Sequence, residues 1–328
     1  MGRRGAEAVA GVSGALLGAG ESLYAAAWEW RRRAYARGWK KPRSVAARVV
    51  SIGNLTVGGA GKTTLTLHLA RVARARGIRA AVVAKNYRPG PEGAGDEALL
   101  YTRALDGRDV YAGDRKPALA EAAARAGCRL IVVDDGFSTW SLARDLDIVL
   151  LDSHDPWGGG HLLPRGRLRE PRRALQRAGI VIVSRLGRND DPAPLLADAQ
   201  RHAPGALVAA ARHRVRGVHT LAGAPLAPGA RVWILTATGN PQAVERSARE
   251  AGLEVAGRSI YRDHHWFRRG EIARERRRAD EARATLLLTA KDAVRWPEGA
   301  AAEGAAVLEV EWEWVEGGAA VEARVLEA

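Results

Sequence analysis

Short apolar runs separated by segments of helical period dominate the first two thirds of the chain. Val45–Ile52, Ile78–Ala84, Leu130–Val133, Ile148–Leu151 and Ile180–Val183 are rich in β-branched residues and too short for helices. Leu65–Arg76 carries helical spacing, as does Ala118–Ala126 behind Pro117. Strands alternating with helices predict a parallel sheet covered on both faces. Functional loops then belong beyond the carboxyl ends of its strands. Asp134-Asp135, Asp152 and Ser184-Arg185 fall at such ends.

The texture changes over 186–230, which reads as short loops rich in Pro, Gly and His. Val232–Thr236 then opens a smaller α/β unit, with Leu286–Leu288 as a further strand. Leu308-Glu-Val-Glu-Trp-Glu-Trp314 alternates strictly. Leu308, Val310, Trp312 and Trp314 are expected on one face, and Glu309, Glu311 and Glu313 toward solvent or a basic neighbour. The pattern divides the chain into residues 1–43, 44–220 and 221–328, and no internal repeat appears in it.

The strand Val45–Ile52 runs directly into Thr56-Val-Gly-Gly-Ala-Gly-Lys-Thr-Thr64 and then a helix. A glycine-rich turn between strand and helix lets backbone N–H groups converge on phosphate oxygens at the positive helix end. Gly58, Gly59, Ala60, Gly61, Lys62, Thr63 and Thr64 are therefore the candidate nucleotide-binding residues. Lys62 is expected to reach the outer phosphates and Thr63 to offer its hydroxyl to Mg²⁺. The strict pattern wants glycine five residues before Gly61, where this chain has Thr56. The fold expected is α/β, a P-loop NTPase-like parallel sheet with flanking helices and a smaller C-terminal α/β domain.

Of 328 residues, 47% are hydrophobic, which fits a folded core. Lys and Arg number 51 against 37 acidic residues, a net charge of +14. That excess favours a nucleotide, a nucleic acid or an anionic membrane face, although an arginine-rich coding bias yields the same balance. No stacking or recognition motif supports nucleic acid, and none is expected. No obligate protein partner is evident either. Cys128 is the only cysteine, so no intrachain disulfide forms, and it reads as a small core residue.

The first 43 residues carry Arg3 and Arg4, a weakly apolar Ala/Gly/Leu stretch broken by Glu21, then Tyr24, Trp28, Trp30 and a run of basic residues to Arg43. A cleavable signal peptide fits poorly, and so does a spanning helix. An interfacial amphipathic helix is expected, with a terminal helix packed on the domain as the alternative.

Three acidic or histidine-bearing sites carry candidate chemistry. Asp134 and Asp135 end a strand, where carboxylates commonly meet Mg²⁺. Asp96, in Gly95-Asp-Glu97 after the loop Arg88–Gly95, is either a catalytic carboxylate or a helix cap. In Asp263-His264-His265-Trp266 a histidine paired with a carboxylate can take a hydroxyl proton, contact substrate, or serve only packing. No Cys/His set supports structural zinc.

Taken in order, Val57-Gly-Gly-Ala-Gly-Lys-Thr63, Gly95-Asp-Glu97, Asp134-Asp-Gly136, Leu142-Ala-Arg-Asp145, Leu163-Pro-Arg-Gly-Arg-Leu-Arg-Glu170, Asp263-His264 and Thr289-Ala-Lys-Asp-Ala-Val294 span most of the chain. This series resembles the tetraacyldisaccharide 4'-kinase family of lipid A synthesis. The resemblance implies phosphoryl transfer from ATP, with Mg²⁺, to the 4'-hydroxyl of an acylated glucosamine disaccharide 1-phosphate. It implies that Asp96 pairs with His264 on the hydroxyl, that Asp134 helps with Mg²⁺, and that Asp135 supports the acceptor or the catalytic network. It also implies Glu170 at the metal side, Arg169 at phosphate, a C-terminal domain completing the acceptor site, and an N-terminal segment facing the membrane. Trp28 and Trp30 are then expected at the headgroups of an anionic surface. The corresponding location is the cytoplasmic face of the bacterial inner membrane, peripheral or N-terminally anchored. Departures from the family pattern are Thr64, Lys85-Asn86 and Phe137-Ser-Thr139, so a kinase with a changed glycolipid acceptor is an alternative. A partitioning-type switch ATPase shares the Gly-Gly-x-Gly-Lys-Thr-Thr run but has lysine where this chain has Val57, and gives no reason for the other motifs.

Overall fold

The computed structural model describes residues 3–90 and 93–327, and the side chains of residues 3–13 lie outside that description. Pro91 and Glu92 of the Arg88–Gly95 loop, and the charges of Arg3 and Arg4, are therefore outside the described residues. The chain begins with α1 (Arg3–Ala36), β1 (Arg48–Asn54), α2 (Lys62–Ala75), β2 (Ala80–Ala84), α3 (Asp96–Ala104), β3 (Val110–Ala112), α4 (Lys116–Arg125) and β4 (Leu130–Val133). It continues through β5 (Leu146–Asp152), β6 (Ile180–Ser184), α5 (Ala193–His202), β7 (Leu207–Thr220), β8 (Arg231–Thr236), α6 (Pro241–Glu250) and β9 (Glu254–Ile260). The last elements are α7 (Arg269–Glu281), β10 (Thr285–Thr289), α8 (Ala290–Ala293), β11 (Ala305–Glu316) and α9 (Gly318–Leu326).

The chain's contacts group it differently from its linear segments. One compact unit comprises residues 1–62, 129–212 and 314–328, and the other comprises 63–128 and 213–313. In the first, β4, β1, β5, β6 and the start of β7 lie side by side, every pair parallel. The apolar runs Val45–Ile52, Leu130–Val133, Ile148–Leu151 and Ile180–Val183 fall on β1, β4, β5 and β6. They are buried on both faces, which explains their continuous rather than alternating hydrophobicity. Phe137, Val149, Leu151, Val181 and Leu175 form the heart of this unit's core.

Trp28 of α1 also belongs to that core, 8% exposed, so it is not the headgroup anchor that its aromatic neighbourhood suggested. Helical spacing gives the reason. Tyr24 and Trp28 are one turn apart and share the inward face, where the Tyr24 hydroxyl donates to the Arg169 carbonyl at 2.9 Å. Leu16, Leu23 and Trp30, seven residues apart, form an exposed stripe instead.

In the second unit β2 pairs with β3, and β9, β8, β10 and β11 form a parallel run. The region read as loops over 186–230 holds α5 and the 14-residue β7. Leu308 and Trp312 are buried as the alternation of β11 requires. Glu311 pairs with Arg214, and Glu309 with Arg216 at 3.8 Å.

Candidate active site

Backbone carbonyls shape the glycine loop of the first unit. Gly58 (φ 114°) and Gly61 (φ 86°) occupy the left-handed region that side-chain-bearing residues avoid. Arg185 Nη1 donates to the Gly59 carbonyl at 2.6 Å, Ser184 Oγ to that of Ala60 at 2.8 Å, and Arg167 Nη2 to that of Val57 at 3.1 Å. These bonds hold the carbonyls of Val57, Gly59 and Ala60, and a glycine turn of this kind binds anions through its N–H groups. Thr56 needs no positive φ here, so glycine is not required. Gly158 makes room for it, since a Cβ there would stand 2.8 Å from the Thr56 methyl.

Arg185 was legible only as a residue at a strand end. It is buried, has φ 66°, and also bonds Asp152 at 2.8 Å. Arg185→Ala is expected to raise the KM for the nucleotide about tenfold, the equivalent of about 1.4 kcal/mol for a lost charged hydrogen bond. Arg185→Lys should recover part of that loss. An unchanged KM in a variant that melts like the parent would show that the loop holds its shape unaided.

Lys62 stands at the first turn of α2, its Nζ 2.8 Å from Asn54 Oδ1 and 3.6 Å from Asp135 Oδ1. Asp135 sits at φ 47°, a strained conformation for a non-glycine residue and of the kind that clusters at functional sites. Arg169 grips it with both guanidinium nitrogens, at 2.9 and 2.8 Å, and also reaches Asn54 Oδ1 at 2.6 Å. Burial works against the Arg169 charge, but the bonds and charge of Asp135 outweigh it and hold the pKa above its ordinary value. Asn54, which no sequence motif marks, thus joins Lys62 and Arg169. Its only signal was its place at the end of β1, ahead of the loop.

Asp134 is buried beside Asp135 at the end of β4. Glu170 is also buried, but its oxygens are engaged by Ser138 Oγ at 2.7 Å and Arg177 Nη2 at 2.6 Å. Arg177 lies between the rings of Phe137 and Trp140, 4.1 and 4.0 Å from their centroids. Glu170 is thus held in an ion pair with Arg177. Among the described residues no group of three or more His, Cys, Asp or Glu side chains could hold a metal ion.

The second unit brings Asp96 and His264 together. Asp96 is the first residue of α3, 1% exposed, and its carboxylate lies 2.9 and 3.1 Å from His264 Nδ1. It also accepts from the Glu97 N–H, but the helix cap is Gly95, so capping is not its main work. Asn86 spans the preceding loop, donating to the Gly93 carbonyl and accepting from the Gly95 N–H. That role suits the asparagine by which this chain departs from the family pattern. Tyr87 meets His264 edge-on at 5.0 Å.

The Thr289-Ala-Lys-Asp-Ala-Val294 motif supports the pair from behind. Thr289 and Asp292 cap α8 reciprocally, and Asp292 also accepts from Thr236 Oγ1 and the Ala237 N–H. Arg295 is anchored by Asp292 at 2.6 Å and the Ala237 carbonyl at 2.9 Å, and approaches Asp96 at 3.6 Å. Lys291 reaches Glu97 at 3.2 Å and Asp96 at 3.7 Å. The Ala237 carbonyl also accepts from the His264 N–H, which fixes the imidazole's backbone at φ 63°.

Burial works to raise the Asp96 pKa, but the His264 hydrogen bond and the charges of Lys291, His264 and Arg295 outweigh it, so the carboxyl titrates below its usual value. A depressed folded pKa contributes stability that is complete above the unfolded value, about 3.9, and fades as pH falls through the folded one. Below about pH 4 the melting temperature of the parent is therefore expected to fall more steeply than that of Asp96→Asn. Parallel curves would contradict the assignment.

The structure thus joins Lys62 with Asp135 in one unit and Asp96 with His264 in the other. Thr63 and Thr64 are half-buried in the first turn of α2.

Comparison with known proteins gives one consistent result. The family described as tetraacyldisaccharide-1-P 4'-kinase matches residues 14–328. A tetraacyldisaccharide 4'-kinase of Anaeromyxobacter sp. (strain K) is 40% identical over 337 residues, covering 92% of this chain and 87% of its own. Another from Anaeromyxobacter sp. (strain Fw109-5) is 38% identical over 312 residues, covering 86% and 82%. A crystal structure of LpxK from Aquifex aeolicus in complex with ATP superposes with a TM-score of 0.68 at 20% identity, covering 94% of this chain and 97% of that one.

Proposed function

The chain belongs to the tetraacyldisaccharide-1-P 4'-kinase family, and on that premise we propose how its residues divide the work of an ATP-dependent transfer. The reaction moves the γ-phosphoryl group of ATP to the 4'-hydroxyl of a tetraacylated glucosamine disaccharide 1-phosphate. The backbone of Gly58, Gly59, Ala60 and Gly61 cradles the phosphates, with Thr64 in the first helical turn, and Lys62 neutralises their developing charge. The observation that carries this reading is the Lys62 ammonium resting on Asn54 and Asp135 at the head of the glycine turn. Asn54 and Asp135, both bonded by Arg169, keep that ammonium in place while the phosphates enter.

Mg²⁺ takes hard oxygen donors and retains water and phosphate oxygens, so one or two protein ligands suffice. The buried Asp134 carboxylate and the Thr63 hydroxyl fit that donor chemistry and would hold it. When bound it supplies charge neutralisation across the phosphates. Glu170 is not assigned there, because Ser138 and Arg177 already engage it.

The acceptor hydroxyl is served by Asp96 and His264. An ionised Asp96 accepts from Nδ1, so Nδ1 carries the proton and Nε2 is left basic. Nε2 takes the hydroxyl proton as its oxygen attacks phosphorus. Mixing the protein with ATP, Mg²⁺ and the acceptor should release one ADP per acceptor consumed. ADP release that ignores the acceptor and responds to DNA would instead support a switch ATPase.

We place the protein at the cytoplasmic face of the inner membrane, held peripherally through α1. Each acyl CH₂ brought into water costs about 0.8 kcal/mol, so the acceptor stays in the bilayer. The exposed stripe Leu16, Leu23 and Trp30 supports the reading. Among the described residues no helix is long and apolar enough to cross a membrane. Leu23→Glu with Trp30→Glu is expected to release the protein from anionic vesicles without a change in melting. Trp28→Ala, in contrast, should cost about 3–5 kcal/mol of stability. Unaltered vesicle binding by the double variant would refute the assignment of the stripe.

A further inference from the structure

The second unit holds an open cleft of about 470 Å³ lined by Arg88, Arg262, Asp263, His264, Trp266 and Arg268, among others. Its size lies toward the lower end of small-molecule sites. Arg88 and Trp266 build the wall. Trp266 Nε1 donates to the Arg88 carbonyl at 3.0 Å, Arg88 Nη1 donates to that of Asp263 at 3.1 Å, and the Arg88 guanidinium covers the Tyr87 ring at 5.2 Å. Gly90 lies so close to the Trp266 ring that a Cβ would come within 2.4 Å, which fixes the indole in place. Residues at the cleft have other polar duties, but not all of their capacity is used. Asp263 Oδ1 is a buried acceptor with no hydrogen-bond partner among the described residues. Arg262 is exposed and pairs with no carboxylate among them. Arg268 is exposed too, with its positive charge acting on Glu271.

We propose that this cleft binds the phosphate-bearing end of the acceptor headgroup, with Arg262 and Arg268 recognising the phosphomonoester already present, Asp263 accepting from a ring hydroxyl, and the ring that carries the reacting hydroxyl lying toward His264. The proposal rests on the kinase reading and deepens it, because His264 lines the same cleft. Two guanidinium groups provide planar, charge-assisted donors matched to phosphate oxygens. The lone carboxylate of Asp263 repels a phosphate placed against it, so it orients the sugar with the phosphate toward the arginines. The cleft thereby reads a substrate feature remote from the hydroxyl that reacts.

The test compares the tetraacylated disaccharide 1-phosphate with the same lipid lacking its 1-phosphate, both in uncharged detergent. The parent enzyme is expected to prefer the phosphorylated acceptor in kcat/KM by about tenfold or more. In Arg262→Ala/Arg268→Ala that preference should fall toward unity, and Arg262→Lys/Arg268→Lys should restore part of it. Both arginines are exposed, so the variants are expected to melt like the parent. An equal loss on the two acceptors, or no loss on either, would overturn the proposal. So would a defect that appears only after anionic phospholipid is added, which would assign the arginines to a headgroup. A parent enzyme that phosphorylates neither lipid defeats the kinase reading itself, and this inference with it.

Discussion

His264→Ala is expected to lower kcat by about 10²–10⁴-fold, the usual contribution of a positioned general base. The surroundings of Asp96 set this expectation. Its carboxylate is buried, ionised, and surrounded by His264, Lys291 and Arg295. An ionised acceptor 2.9 Å from Nδ1 selects the tautomer whose Nε2 is free to take a proton. On the proposed roles, His264→Ala removes the base and Asp96→Asn removes what orients it. The two act as one unit, so the double variant should be no slower than the slower single one. Asp96→Asn carries an added cost, because Lys291 and Arg295 lose a buried counter-charge; His264→Ala and His264→Gln are therefore the cleaner probes. Steady-state kinetics with a nucleotide-binding control decides the matter. Multiplicative losses would show that Asp96 and His264 work separately, and weaker nucleotide binding would move them away from the acceptor hydroxyl.

Lys62→Ala should reduce kcat by about 10²–10³-fold, the cost of removing one pre-placed electrostatic donor from a transition state. Stability should change little. Lys62 bonds Asn54 and stands 3.6 Å from an Asp135 side chain that is 40% exposed, and such partly exposed pairs contribute about 1 kcal/mol or less. Arg169 continues to neutralise Asp135 in the variant. Lys62→Arg should not rescue the rate, since a planar fork cannot reproduce the compact ammonium at the head of the turn. Single-turnover transfer measured beside thermal melting separates the two effects. Normal turnover by Lys62→Ala would mean that the loop binds phosphate without its lysine.

Much of the fold was legible because buried parallel strands announce themselves as β-branched runs between glycines. Leu130–Val133 matches its strand residue for residue, and Ile180–Val183 falls one residue short. The region 186–230 was misread for a physical reason. Leu207–Thr220 is rich in Ala and Arg and has little intrinsic strand preference. It is extended because Leu207–Ala210 pair with Ile180–Val183, and because Arg214 and Arg216 meet the glutamates of β11. Those partners lie tens of residues away and leave no local pattern. The candidate residues were legible as chemistry, since carboxylates at strand ends and a glycine turn declare themselves. Their supports were not. Asn54, Arg185 and Arg295 act through contacts with distant segments, and the positive φ of Asp135 and His264 is imposed by surroundings rather than by residue type. Trp28 was misassigned because an aromatic beside arginines looks the same from sequence whether it faces lipid or core.

The glycine loop and the Asp96–His264 pair are proposed to serve one reaction, transfer to the 4'-oxygen of an acylated disaccharide. The most direct measurement is phosphorus–proton correlated NMR of the lipid recovered after incubation with ATP and Mg²⁺, for the parent, Lys62→Ala and His264→Ala. The account predicts a single new phosphomonoester coupled to the proton on C4' in the parent, and almost none in either variant. A phosphate at any other position, an unmodified lipid beside consumed ATP, or full product from His264→Ala would contradict it.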